Sequence, residues 1–101
     1  MYIVNSIVNV PPEKAEEVIA IYRKRSKLVD DYRGFLSFQL LQNDVKPEEL
    51  TVHMEWETKE DYLNWVSSEA YKKVHELEKN YPDQELASVK PVVQRYKVVA
   101  E

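Results

Sequence analysis

Four side chains hold most of the chemistry open to this 101-residue sequence: the carboxamide of Asn5, the indole of Trp65 and the imidazoles of His53 and His75. The chain has no cysteine. That excludes disulfides, thiolate metal sites, iron–sulfur ligation and thiol nucleophiles together, and leaves the histidines as the principal soft metal ligands. Asn5 falls mid-strand, with Ile3 and Ile7 on its own face by alternation, where an amide must find a hydrogen-bond partner in water, backbone or ligand. Trp65 lies on an apolar helical stripe, an ordinary place for a core tryptophan. A lone histidine such as His75, between Val74 and Leu77, is more often a satisfied or exposed side chain than a ligand. On one straight helix Trp65 and His75 would stand about 15 Å and roughly 80° apart. A break at Ser67-Ser68 would let both face one pocket.

The elements that must position these residues follow from patterning. Tyr2 to Val10 is rich in β-branched types and forms a first strand. Pro11-Pro12-Glu13 opens a helix in which Ala15, Val18, Ile19 and Tyr22 recur at helical spacing, and the pattern predicts that it continues to about Val29. Arg23, Lys24, Arg25 and Lys27 crowd its C-terminal end, where the macrodipole favours cations, and a solvated face accounts for them. Gly34, the only glycine, precedes the second strand, Phe35 to Leu41. A polar hairpin from Gln42 to Leu50 leads to a third strand over Thr51–Trp56, where Val52, Met54 and Trp56 alternate with Thr51, His53 and Glu55. Thr58 and Asp61 form a capping box for a short helix bearing Tyr62, Trp65 and Val66. Ser67-Ser68-Glu69 starts another, carrying Tyr71, Val74 and Leu77. After a polar segment from Asn80 to Pro91, which reads as a loop or a flap, Val92 to Val99 is the last strand.

The resulting order, β-α-β-β-α-(α)-β in one domain spanning residues 1–101, is the ferredoxin-like α+β pattern with a four-stranded antiparallel sheet and helices on one face. Such a sheet leaves its other face bare, so a homodimer is expected, a dimeric α/β barrel. His53, on the face opposite Met54 and Trp56, would then point away from the helices and toward such an interface. Eighteen acidic residues against 14 basic ones leave a net charge of −4, a poor match for a phosphate backbone, so nucleic acid is not an expected partner. No stretch approaches the roughly 20 apolar residues of a membrane span, and Met1-Tyr2-Ile3-Val4 opens without a basic or cleavable leader. A cytoplasmic protein that does not bind membranes is expected.

The stretch Asn64-Trp65-Val66-Ser67-Ser68-Glu69-Ala70-Tyr71-Lys72-Lys73-Val74-His75 resembles the helical segment of haem-degrading monooxygenases of the IsdG/HmoA type, within the antibiotic biosynthesis monooxygenase (ABM) superfamily. Asn5 in the first strand, Gly34-Phe35 leading to Phe38-Gln39-Leu40-Leu41, and Trp56-Glu57-Thr58-Lys59-Glu60-Asp61 extend the resemblance over nearly the whole chain. The strand and turn motifs are common to the wider superfamily. The combination of Asn5, Trp65 and His75 is the specific part.

The resemblance implies that haem is both substrate and cofactor, with His75 as the axial ligand of its iron, a usual role for a neutral imidazole. It implies further that Asn5 donates a hydrogen bond on the distal side and that Trp65 distorts the porphyrin. O2 and an external electron donor would complete the reaction, which opens the ring and releases iron. Arg23, Arg25 and Lys27 could hold the propionates. Two other readings stay open: a cofactor-independent quinol or polyketide monooxygenase of the same superfamily, and a haem-binding or storage protein without turnover.

Overall fold

The computed structural model describes residues 1–79 and 90–101, and the side chains of residues 76–79 lie outside that description. Leu77's place on the helix face and the flap suggested for Asn80 to Lys90, apart from Lys90 itself, therefore fall outside the described residues. The elements are β1 (Tyr2–Asn9), α1 (Ala15–Arg23), β2 (Phe35–Gln42), β3 (Glu49–Trp56), α2 (Lys59–Val66), α3 (Glu69–Lys79) and β4 (Val92–Lys97), with short 3-10 turns at Pro12–Lys14 and Leu28–Asp31. The strands form one antiparallel sheet in the order β2-β3-β1-β4. This is the ferredoxin-like α+β fold. The sheet of one chain is open, with β2 and β4 at its edges, so the barrel expected from the sequence is not a property of the single chain.

Alternation decides which side of the sheet is covered. Tyr2 and Val4 of β1 are 8% and 2% exposed, Trp56 of β3 is fully buried, and all three pack with Val29 and Trp65 in one core cluster. A second cluster joins Val10, Ala15, Val18 and Leu50, with Ile19 and Tyr22 packed against it, so the predicted stripe of α1 does face the sheet. Burial of aliphatic and aromatic side chains of this size contributes about 1.5–3 kcal/mol each, which makes these two clusters the main support of the site.

The first helix stops at Arg23, six residues short of the predicted end near Val29. From Arg23 to Lys27 every residue is polar, so a further turn would bury nothing against the sheet. Lys27 instead takes a left-handed conformation (φ 60°), and the 3-10 turn after it returns Val29 to the core at 6% exposure. Gly34 adopts φ 84°, and a Cβ there would run into the side chain of Asp61. That close approach seats the start of α2, where the Thr58 hydroxyl oxygen accepts from the Asp61 amide (3.1 Å) and its O–H donates to the Asp61 carboxylate (2.9 Å). Caps of this kind contribute about 1 kcal/mol.

Candidate functional site

Two serines make the bend that builds the site. α2 ends at Val66, and the Ser67 hydroxyl donates back to the carbonyl of Leu63 (3.0 Å). The Ser68 hydroxyl donates to the carbonyl of Trp65 (2.6 Å) and accepts from the amide of Tyr71 (3.1 Å), so it closes one helix and caps the next. Side-chain hydrogen bonds of this kind compete with helix continuation, which is why the chain turns here. The turn brings Trp65 and His75 to the same cavity, as the sequence suggested.

That cavity, of about 360 Å3, lies between the sheet and the helices. Val4, Ser6, Phe38, Val52, Met54 and Val93 form its sheet side, Tyr62, Trp65, Tyr71, Val74 and His75 its helix side, and Tyr22, Lys24, Arg25, Ser26 and Lys27 line it from α1 and the following turn. The volume and the mainly apolar lining fit a small-molecule site. Trp65 is 4% exposed and meets Tyr32 and Tyr71 edge to face, with ring centroids 5.1 and 5.7 Å away. Tyr71 in turn packs on the imidazole of His75 at 4.3 Å, and His75 itself is exposed. An aromatic chain thus runs from the core to the ligand candidate. Burial raises the Tyr62 phenol above its ordinary pKa, so at neutral pH it lines the cavity as a neutral hydroxyl.

The cations at the C-terminal end of α1 divide. Lys24, Arg25 and Lys27 line the cavity, whereas Arg23 does not. Arg25 is held in place twice, by a bidentate pair with Asp30 (2.8 and 3.0 Å) and by stacking over the ring of Phe38 at 4.1 Å. Lys24 was not among the cations expected to act, and its signal was the early end of α1, which turns it toward the cavity.

Asn5 is not brought together with Trp65 and His75. The covered face of β1 is that of Tyr2 and Val4, so the period of two puts Asn5 on the opposite face, and Ser6 lines the cavity in its place. Across the sheet Asn5 pairs with His53, whose Nδ1–H donates to the Asn5 Oδ1 at 2.7 Å. Asn5 therefore does not line this cavity, and its amide oxygen is engaged on the outer face. His53 lies where the alternation of β3 placed it, away from the helices.

The same outer row holds Glu55, which accepts from the Ser37 hydroxyl at 2.8 Å and lies 3.4 Å from the His53 Nε2. The Ser37 hydrogen bond first, and the His53 contact second, lower its pKa below the ordinary carboxylate value. A carboxylate with a depressed folded pKa stabilises the fold above its unfolded value, about 4.3, and loses that contribution as pH falls through the folded value. Replacing Glu55→Gln is expected to flatten the acid limb of stability below about pH 4.3 and to leave the slope between pH 6 and 8 unchanged. Chemical denaturation across pH checks this, and an unaltered acid limb would refute it.

Among the described residues, no group of three or more His, Cys, Asp or Glu side chains could hold a metal ion, and no helix is long and apolar enough to cross a membrane. Imidazole ligation of a group that brings its own metal remains within the chemistry of the cavity.

Comparison with known proteins agrees with the geometry. A haem-degrading monooxygenase of Bacillus mycoides is 32% identical over 85 residues, covering 82% of this chain and 78% of the relative. A haem-degrading monooxygenase of Bacillus cereus is 31% identical over the same shares. Among solved structures, the haem degrader MhuD from Mycobacterium tuberculosis, with two haems bound in its active site, superposes with a TM-score of 0.79 at 22% identity, covering 100% of this chain and 98% of that one. An antibiotic biosynthesis monooxygenase structure superposes with a TM-score of 0.66 at 17% identity, covering 99% and 100%; at such identities these likenesses speak for the fold. The antibiotic biosynthesis monooxygenase (ABM) family model matches residues 1–77, and with that match and its close relatives this chain belongs to the ABM family.

Proposed function

We propose that the protein is a haem-degrading monooxygenase that takes haem as both substrate and cofactor in the cavity between sheet and helices. The observation that carries this reading is the convergence of Trp65 and His75 on one apolar cavity across the Ser67-Ser68 bend. The donor set fits the group: an imidazole on the helix side, apolar walls suited to a porphyrin, and Lys24 and Lys27 suited to its carboxylates. The relatives named for haem degradation support it.

His75 would hold the haem iron through a ring nitrogen, with the Tyr71 ring at 4.3 Å limiting how far the imidazole can tilt. When bound, haem supplies the iron chemistry that activates O2 and is itself the ring that opens, with electrons from an external donor and release of iron. Trp65, fixed between Tyr32 and Tyr71, would present a rigid aromatic wall to a bound porphyrin and would press on its ring. Phe38, Val52, Met54 and Val74 give the cavity apolar walls that would keep water away from a bound ring. Tyr62 stays protonated at neutral pH and can donate a hydrogen bond.

A cytoplasmic homodimer completes the proposal. On the outer face of the sheet Tyr96 and Val92 of β4 are 46% and 60% exposed beside Ile3 and Ile7 of β1, and Leu41 of β2 is 45% exposed. An apolar face of this kind is commonly covered by a second copy of the same chain. Sedimentation at micromolar concentration is expected to return twice the monomer mass, and a monomer would count against the dimer.

Haemin titration tests the function. One haemin per chain is expected to bind saturably with a sharpened Soret band. Ascorbate in air should then bleach that band and release chelatable iron. Stable binding without bleaching would point to carriage or storage instead, and the absence of specific binding would point to the cofactor-independent reading.

A further inference from the structure

We infer that the hydroxyl of Ser6, and not the carboxamide of Asn5, is the hydrogen-bonding group that the sheet presents to haem, facing the cavity from the side opposite His75. The inference rests on the proposed haem site and adds to it a residue with a defined role.

The phase of β1 is fixed at both ends of the argument. Tyr2 and Val4 are buried on the helix-covered face, and Ser6 follows them at the spacing of two and lines the cavity. Asn5 is on the other face with its amide oxygen engaged by His53 at 2.7 Å. Moving Asn5 into the cavity would require a one-residue slip of β1, which would expose Tyr2 and Val4 and break its register with both neighbours.

Ser6 is also out of place unless it does something. Its cross-strand neighbours are Val52 on β3 and Val93 on β4, and both line the same cavity. The three make a row Val-Ser-Val on a central strand, where a third valine would pack and pair better. Of the six sheet residues that line the cavity, the other five are Val4, Phe38, Val52, Met54 and Val93, so Ser6 alone supplies an O–H or N–H donor. Ser6 is half-buried, and among the described residues its hydroxyl makes no hydrogen bond, so it can turn toward a ligand that enters the cavity. A ligand in the cavity supplies that partner. The hydroxyl is shorter than a carboxamide and offers a single donor on a rotor, so it serves a group bound close to the sheet and adjusts to its direction.

Two measurements test this apart from turnover. Because the chain has no cysteine, Ser6→Cys and Asn5→Cys each create a single thiol. Saturating haemin is expected to slow alkylation of the first by iodoacetamide and leave the second unaffected; equal protection, or protection of the second alone, would overturn the placement. In the ferric haem complex, cyanide bound on the face opposite His75 reports the donor. Ser6→Ala is expected to weaken cyanide binding about fivefold, the effect of losing one hydrogen bond, while Asn5→Ala leaves it unchanged. Haem binding that depends on His75 but a cyanide affinity indifferent to Ser6→Ala would sink this inference and leave the haem reading standing. Absence of haem binding in the unsubstituted protein would remove both.

Discussion

His75→Ala is expected to lose haem binding almost entirely while leaving the fold intact. His75 is exposed at the cavity wall, and substitutions at such positions usually change stability by no more than about 0.5 kcal/mol. Removing even a partner of a metal ligand typically costs 10–100-fold in affinity, so removing the ligand should weaken haemin binding by at least about 100-fold. The variant should therefore melt like the parent protein and fail to sharpen the Soret band. Added imidazole restores the missing nitrogen without the tether, and partial recovery of the Soret band at millimolar imidazole would separate lost ligation from a collapsed cavity. If His75→Ala binds haemin as tightly as the parent, the iron is held elsewhere and the site assignment fails.

How much of this was legible in the sequence varies with the physical signal. The Ser67-Ser68 bend was legible, because two consecutive serines in a helical pattern have few roles other than capping, and the convergence of Trp65 and His75 followed from it. The end of α1 was not. The stripe Ala15, Val18, Ile19, Tyr22 can be continued to Val29 by spacing alone, and only the run of five polar residues from Arg23 to Lys27 argues against it. That run was read as a solvated face of a longer helix, when it was the reason for a shorter one.

The phase of β1 was ambiguous for a clearer reason. Its even positions read Tyr, Val, Ser, Val and its odd positions Ile, Asn, Ile, Asn, so each face has apolar residues and a polar one at mid-strand. The third strand has no such ambiguity, since Val52, Met54 and Trp56 oppose Thr51, His53 and Glu55. Antiparallel partners share a face, and the register Ser6↔Val52 and Asn5↔His53 carries the clear phase of β3 over to β1. Pairing, which one strand's pattern does not contain, was the missing information.

Trp65 is the position where stability and function compete, and its two substitutions should separate them. The indole is 4% exposed, part of the cluster with Tyr2, Val4, Val29 and Trp56, and braced by Tyr32 and Tyr71. Truncating such a side chain costs about 3–5 kcal/mol, a large share of the roughly 5–15 kcal/mol that holds a domain together. Trp65→Ala is therefore expected to lower the melting temperature by more than about 10 °C, since each kcal/mol is worth about 4–8 °C in a domain of this size. Loss of haem bleaching in that variant would say nothing specific about the aromatic wall. Trp65→Phe keeps an aromatic ring between Tyr32 and Tyr71 and should cost about 1–2 kcal/mol, leaving a folded protein with nearly normal haemin affinity. Its ring is smaller and reaches less far into the cavity, so it should press less on a bound porphyrin. The expected result is haem that binds and bleaches several-fold more slowly, with out-of-plane porphyrin bands in the resonance Raman spectrum weakened. Bleaching at the parent rate with those bands unchanged would reduce Trp65 to a core residue that happens to border the cavity, and the distortion of the ring would have to come from another wall.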